Sequence, residues 1–187
     1  GRGFMNPIDV VFNNNLLYVL SRSNASNKNN RVSVLTLDSD HKFEFANWGE
    51  DSGKSILPTA IAIDKEDNFI LSDEHLNRIS IFDLEGNFIK HWGEFGNKPG
   101  QLNRPSGISI DSENNILIVD HLNSRIQKFD NNGKFISSFG KYGNDESEFN
   151  YPWGIDTDKD QNIYVADWRN NRIQMFSSEG DYLSSIE

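Results

Sequence analysis

A stretch of about 47 residues recurs along this 187-residue chain, and three of its copies keep identical spacing. Each of these copies carries one proline, two aspartates, one arginine and one glycine at fixed intervals. The matched sets are Pro58, Pro105 and Pro152; Asp64, Asp111 and Asp158; Asp73, Asp120 and Asp167; Arg78, Arg125 and Arg172; and Gly86, Gly133 and Gly180. A fourth, more degraded copy begins at Pro7. A period in this range is typical of an array whose units bury their apolar faces against neighbours.

Each repeat predicts a four-stranded antiparallel sheet. In the third copy the predicted strands are 107–111, 116–119, 125–129 and 135–139. These short runs are rich in Ile, Val and Phe and are bounded by Asn, Asp and Gly, which is strand and turn chemistry. The segment 120–124 is predicted to be a loop, and 130–133 a tight hairpin turn in which Gly133 supplies the positive φ. No segment shows helical periodicity.

The packing of these sheets follows from their second strands, which are apolar on both faces, as in Ile116-Leu-Ile-Val119. A sheet with one wet face would alternate apolar and polar residues there, so each sheet is expected to pack between two others. The first strands carry small residues at matched positions, which suits closely approaching strands: Ala60, Gly107 and Gly154. Four-stranded sheets arranged in this way are the blades of a β-propeller.

The last copy carries a family signature. It reads Pro152-Trp-Gly-Ile, then Asn162-Ile-Tyr-Val-Ala-Asp167, then Asn171-Arg-Ile-Gln-Met-Phe176, and it resembles the NHL repeat nearly throughout. The resemblance covers the whole chain as one domain, with repeats at about 1–49, 50–96, 97–143 and 144–187. It implies an all-β fold, a β-propeller of four-stranded antiparallel blades. Such propellers usually have six blades, so four imply a partial or open propeller, completed by additional blades of a parent chain or by an oligomer.

Composition narrows the range of partners. The net charge is −10 and no run of Lys or Arg stands out, which disfavours nucleic acid and anionic membrane surfaces. No apolar run approaches the ~18 residues of a membrane span, and no signal-peptide pattern is recognised. The absence of cysteine excludes disulfides, thiol nucleophiles and Cys-type metal sites, and leaves the compartment unassigned. A lone glycosylation sequon occurs at Asn24-Ala-Ser26.

The repeated Asp–Arg pairs are predicted to be structural, and no catalytic residue is predicted. Catalysis needs one asymmetric site, whereas these pairs recur in each well-preserved copy: Asp73/Arg78, Asp120/Arg125 and Asp167/Arg172. We expect each Asp to accept backbone N–H bonds from its loop and to brace the Arg that opens the next strand.

Neither a metal site nor a cofactor is predicted. The segment 156–162 superficially resembles a calcium loop, but it lacks the sharp-turn Gly and the bidentate Glu at the twelfth position, so a hairpin turn is expected. The histidines share no metal-ligand spacing and are expected to be solvated: His41, His75, His91 and His121.

Candidate binding residues lie where otherwise regular repeats differ. The loop after the second strand and the segment around each repeated Pro emerge at the same end of a blade, and varied loops on a fixed frame favour recognition. Trp, Tyr and Arg are enriched at binding hot spots. The predicted binding residues are Trp168, Arg169, His121, Glu74, His75, Arg104 and Trp153. For Trp153 and Tyr151, packing between blades is an equally open interpretation.

These features predict a scaffold that binds a protein or peptide through its variable loop face. The alternative is a metal-dependent propeller enzyme, resembling amidoglycolate lyases or lactonases. The lyase resemblance implies a metal-binding His in place of the residue just before the Arg-Ile strand. That position holds Asn30, Asn77, Ser124 and Asn171 here. RNA binding, which some NHL domains perform, is the third class, and the acidity of the chain disfavours it.

Overall fold

A computed structural model describes residues 4–23 and 27–187, and almost all of its regular structure is antiparallel sheet. The glycosylation sequon at 24–26 lies outside the described residues. The chain divides into two compact units, residues 1–92 and 93–187. Within the described ranges, no helix has the length and apolar character needed to cross a bilayer.

The first unit holds two four-stranded sheets whose strands pair in chain order. The first sheet consists of β1 (Pro7–Asn13), β2 (Leu16–Ser21), β3 (Arg31–Thr36) and β4 (His41–Phe45). The second consists of β5 (Pro58–Ile63), β6 (Phe69–Asp73), β7 (Arg78–Phe82) and β8 (Phe88–Trp92). These sheets are the first two predicted blades.

The core of the first unit lies between its two sheets. Tyr18 and Val32 of the first sheet pack in one buried cluster with Phe69 and Phe82 of the second. The ring centroids of Tyr18 and Phe69 are 4.2 Å apart. Burial of such large apolar side chains supplies the main driving force for joining the two blades.

The second unit holds the other two blades. The third blade consists of β9 (Pro105–Ile110), β10 (Ile116–Asp120), β11 (Arg125–Phe129) and β12 (Phe135–Phe139). After the short parallel pair β13 (Lys141–Tyr142) and β14 (Glu148–Phe149), the fourth consists of β15 (Pro152–Thr157), β16 (Ile163–Asp167), β17 (Arg172–Phe176) and β18 (Tyr182–Ile186). Two 3-10 helices, His121–Asn123 and Trp168–Asn170, follow β10 and β16.

The core of the second unit repeats the arrangement of the first. Leu117 and Val119 of the third blade pack against Ile163 and Val165 of the fourth, and Phe149 closes the cluster. Every residue of β10 is buried, as its apolar character on both faces predicts. Antiparallel four-stranded blades are therefore confirmed in both units.

The hairpin turn of the third blade has the predicted geometry. Gly133 adopts φ 84°, and its N–H donates to the Asp130 carbonyl at 2.9 Å. The strand register shifts between Lys128 and Phe129, as expected for a bulge beside such a turn.

Two details of the sequence prediction were wrong. The first strand of the third blade begins two residues earlier than predicted, at Pro105, and ends at Ile110. The predicted loop after β10 contains the 3-10 helix His121–Asn123. The Asn123 side-chain amide donates to Asp120 at 2.9 Å, which folds the segment back into one tight turn.

Gly107 allows β9 to approach β15 closely. A Cβ at Gly107 would lie 2.8 Å from the Trp153 carbonyl oxygen and 3.1 Å from the Ile155 nitrogen, both of them backbone atoms. At the matched position of the fourth blade, a Cβ on Gly154 would meet only the Ala166 methyl, at 3.7 Å. A residue without a Cβ is therefore required at Gly107 but not at Gly154.

Candidate functional site

The Asp167 carboxylate holds the loop that carries the first two candidate binding residues. This fully buried group accepts hydrogen bonds from the Asn150 backbone N–H at 2.7 Å, the Asn170 amide at 2.8 Å and the Arg172 Nε at 3.0 Å. The 3-10 helix Trp168–Asn170 starts directly after Asp167. Asn171 caps its C-terminal end in a left-handed conformation with φ 53°. Trp168 and Arg169 are thereby fixed on the outside of the fourth blade, where both are exposed.

Arg169 lies between two aromatic rings. Its guanidinium carbon is 4.5 Å from the centroid of Tyr151 and 5.4 Å from that of Trp168. The Arg169 backbone N–H donates to the Asn150 carbonyl at 3.0 Å, which fixes the spacing between the loop and the segment before Pro152. Such stacking orients a guanidinium while its N–H edges stay available. Within residues 4–23 and 27–187, no carboxylate forms an ion pair with Arg169.

Tyr151 reaches this position through an unfavourable backbone conformation. It has φ 57° immediately before a proline, in the left-handed region that non-glycine residues other than Asn and Asp seldom adopt. The matched residues of the first and third blades, Asn6 and Arg104, have φ 45° and 52°. The left-handed backbone therefore recurs at this position of the repeat, and only the fourth blade places an aromatic ring there.

His121 and Trp153 extend the same surface. His121 is buried, and its Nδ1 lies 2.9 Å from the Pro152 carbonyl oxygen, which can only accept, so Nδ1 carries the proton. The His121 ring meets Trp153 edge to face at 5.1 Å and lies 5.3 Å from Tyr151. His121, Tyr151, Trp153, Trp168 and Arg169 are called the aromatic–arginine cluster below.

An open groove adjoins the cluster on the fourth blade, with a volume of about 720 Å³. Its apolar lining comes from Trp153, Ala166, Trp168, Ile173 and Ile186. Arg172 and Glu187 also line it. Since Trp153 and Trp168 belong both to the groove and to the cluster, the two features share a rim.

The remaining candidate residues lie elsewhere. Glu74 is buried in the first unit and forms an ion pair with Arg22 at 2.5 Å, which joins the first and second blades. His75 is exposed in the same unit. Arg104 is exposed before β9, with φ 52°. The structure brings together four of the seven predicted binding residues. It adds Tyr151, for which sequence reasoning left binding and packing between blades equally open.

The Asp–Arg pairs are structural in the second unit, as predicted. Asp120 accepts from Arg125 Nε at 2.7 Å, and Arg172 donates to Asp167 in the same way. In the first unit only half of the prediction holds. Asp73 accepts backbone N–H groups of its loop, as predicted, but it forms no hydrogen bond with Arg78, which donates to backbone carbonyls between Glu50 and Lys54.

The calcium-like segment 156–162 is a hairpin turn, as expected. Asp158 accepts from the Asn162 side chain at 2.8 Å and from the Asn162 and Asp160 backbone N–H groups at 2.9 Å. The bond from the Asn162 side chain is the main reason why the pKa of the Asp158 carboxyl lies below its usual value. Within the described part of the chain, no three His, Asp or Glu side chains converge on a point that could hold a metal ion.

Comparison with known proteins identifies the repeats. Residues 149–176 match the NHL repeat family, and residues 56–138 match a family described as a 6-bladed beta-propeller. Residues 149–176 are therefore an NHL repeat, in a chain whose antiparallel blades are those of a β-propeller. No curated protein sequence matches it.

Solved structures share the fold of this NHL-repeat protein at low sequence identity. Virginiamycin B lyase from Staphylococcus aureus superposes with a TM-score of 0.73 at 16% identity, over 100% of this chain and 57% of the lyase chain. The protein U3-55K superposes with a TM-score of 0.74 at 12% identity, over 97% of this chain and 52% of its own. A protein of unknown function from Bacteroides thetaiotaomicron gives 0.68 at 19% identity, over 89% and 46%. The chain therefore spans between 46% and 57% of the length of these relatives.

Proposed function

We propose that this NHL-repeat protein is a binding scaffold whose ligand is a protein or peptide, and that the aromatic–arginine cluster is its binding surface. The observation that carries the proposal is the contact of the exposed Arg169 with the half-buried Tyr151 ring and the exposed Trp168 ring. Aromatic rings and an arginine together are the residues most often found at binding hot spots.

The exposure of the cluster supports this proposal. Trp168 is 58% exposed and Trp153 is 41% exposed, although packing between blades would bury both. Large apolar surface left open beside an oriented cation provides contact area at low cost in conformational entropy. The position on loops of a rigid frame favours recognition over stability.

Selection from a random-peptide phage library on the immobilised chain tests the proposal. The double variant Trp168→Ala/Arg169→Ala should lose the selected peptides while its melting temperature stays the same. Leu122→Ala is the matched control, because Leu122 holds the position of Arg169 in the third blade and is also exposed. Unchanged capture by the double variant, or a large fall in its melting temperature, would contradict the proposal.

An enzyme is the second candidate function, because one structural relative is a lyase that acts on virginiamycin B. The identity of 16% supports the fold alone. His121 is the residue to test, since it is buried while the other three histidines, all within the described residues, are exposed. Conversion of virginiamycin B by this chain, followed chromatographically and lost in His121→Ala, would establish the activity. Absence of conversion would remove this candidate.

A further partner is proposed for the open faces of the outer blades, namely additional blades of a longer chain or a second copy. In the first unit, Ile8, Val10 and Phe12 alternate along β1 and are between 42% and 57% exposed. In the second unit, Ile173 is 42% exposed and Ile186 is 62% exposed. Apolar residues alternating along a strand are normally buried against another sheet.

A further inference from the structure

We infer that the aromatic–arginine cluster selects a peptide in which a carboxylate-bearing residue adjoins an apolar residue. This inference rests on the proposed binding function and adds the chemistry of the ligand. The carboxylate would bind Arg169, and the apolar side chain would lie against Trp153 and Trp168 at the shared rim of the groove.

The carboxylate preference follows from Arg169. Its guanidinium is stacked on Tyr151 and has no ion-pair partner within the described ranges. A guanidinium that lies against an aromatic ring keeps N–H groups available for other acceptors. Two parallel N–H groups on one edge of a guanidinium match the two oxygens of a carboxylate.

The other exposed ends of the blades do not offer this arrangement. In the first unit, Arg22 is neutralised by Glu74. At the matched loop of the third blade, Leu122 stands in place of Arg169. Arg125 and Arg172 donate to Asp120 and Asp167 and to backbone carbonyls of their own blades, so their guanidinium groups are already used.

The groove orients the ligand. Its walls are mainly apolar, and two carboxylates line it: that of Asp167, which is fully buried and hydrogen-bonded, and that of Glu187. A ligand carboxylate inside the groove would be repelled by Glu187, whereas Arg169 stands outside the lining, beyond Trp168. The acidic group is therefore placed at the loop and the apolar group at the rim. The ligand contacts only the rim of the groove, which Trp153 and Trp168 form. A further blade over Ile173 and Ile186 would therefore leave the site intact.

The Tyr151 ring links the cation to the rest of the cluster. It lies 4.5 Å from the Arg169 guanidinium carbon and 5.3 Å from the His121 ring. Tyr151 thus positions the cation that forms no ion pair within residues 4–23 and 27–187.

Indole N–H signals in NMR spectra of the full chain test the inference, since the chain has only four tryptophans. The probes are N-acetyl-Leu-Glu-amide and the isosteric N-acetyl-Leu-Gln-amide. We expect the Trp153 and Trp168 signals, assigned with Trp→Phe variants, to shift on titration. Half-saturation should occur at a concentration roughly fivefold lower for the Glu peptide, because an exposed ion pair contributes little more than this factor.

Two variants make the test specific. Arg169→Gln should abolish the difference between the peptides. Lys159→Gln removes the same charge from the turn at the opposite end of the fourth blade and should preserve the difference. Equal half-saturation for both peptides with the unmodified chain would overturn the inference, and so would shifts confined to Trp48 and Trp92.

The outcomes also separate this inference from the proposed function. Phage-selected peptides that bind through Trp168 and Arg169 but lack an acidic residue would leave the binding scaffold standing and refute the carboxylate preference. Shifts of the Trp153 and Trp168 signals that depend on protein concentration without any peptide would show that a second copy occupies the rim. That result would also overturn the inference.

Discussion

Replacing Arg125 with alanine should destabilise the second unit mainly through the aspartate that remains behind. The Asp120 side chain is fully buried, and Arg125 Nε donates to it at 2.7 Å. The same carboxylate accepts from the Gln127 amide at 3.0 Å and from the Asn103 backbone N–H at 2.7 Å. Removal of the arginine leaves a buried negative charge with weaker compensation.

The expected loss of stability in Arg125→Ala depends on the hydrogen-bond donors that still bind Asp120. Loss of one member of a buried ion pair costs about 3–5 kcal/mol. Here the lower end, about 3 kcal/mol, applies because neutral donors still satisfy Asp120. For a chain of this size each kcal/mol lowers the melting temperature by about 2–4 °C, so a fall of roughly 6–12 °C is expected.

The destabilisation should also depend on pH. Burial raises the pKa of Asp120, and its hydrogen bonds, including that from Arg125, oppose this rise. In Arg125→Ala the folded-state pKa rises further above the unfolded value. The stabilising contribution of a protonated Asp120 is then present at low pH and is lost as the pH rises through the folded-state pKa. The variant should therefore lose less stability at about pH 4 than at about pH 7.

A double-mutant cycle measured by urea unfolding checks the reasoning. The single variants Asp120→Ala and Arg125→Ala and their combination should show a coupling of about 1 kcal/mol or more. The matched cycle on Asp73 and Arg78 is the control, because these side chains share no hydrogen bond and its coupling should stay below about 0.5 kcal/mol. Additivity in the first cycle, or equal coupling in both, would refute the reasoning.

Four further predictions follow from the structure. Gly107→Ala should destabilise the protein by about 1–3 kcal/mol in thermal unfolding because its Cβ meets backbone atoms, whereas Gly154→Ala should change stability little; equal effects would contradict the close approach. Tyr151→Asn should keep or raise the melting temperature while weakening capture of selected peptides, and a clear loss of stability would instead indicate packing. Gel-shift assays at physiological salt should show no specific RNA complex, which submicromolar binding to a defined RNA would disprove. Light scattering should detect self-association of the isolated chain if a second copy covers the open faces, and a strictly monodisperse monomer at high concentration would exclude that partner.

The blades could be predicted from the sequence, whereas the hydrogen bonds of the pair Asp73/Arg78 in the second blade could not. In the third blade, Gln127 donates to both Asp120 and the Gln101 carbonyl, which links strand, aspartate and connecting segment. The second repeat has Ser80 at that position, and a serine side chain is too short to make both contacts. Arg78 keeps the two carbonyl partners that Arg125 has in the third blade, here those of Asp51 and Lys54, and only the hydrogen bond to the aspartate is missing.

The sequence predicted the candidate site only for residues that are adjacent in the chain. Trp168 and Arg169 are adjacent in the chain and lie on one loop, so their proximity needed no structure. The contribution of Tyr151 depends on a left-handed backbone that a sequence does not display. Glu74 was misleading for a similar reason, because its partner Arg22 belongs to the degraded first repeat, where alignment between copies is weakest.

The hydrogen bonds of the repeated arginines determine which segments of a nascent chain can fold first. Arg125 donates to the carbonyls of Lys98 and Gln101, and Arg78 donates to that of Glu50, so each arginine reaches 24 to 28 residues back along the chain. During synthesis at about 5–20 residues per second, a connecting segment emerges seconds before the residue that fastens it. Each segment that connects two blades can therefore form these hydrogen bonds only after the third strand of the following blade has been synthesised. Nascent chains stalled with Arg125 still inside the ribosome should leave segment 93–103 open to protease, whereas chains stalled after Arg125 has emerged should protect it.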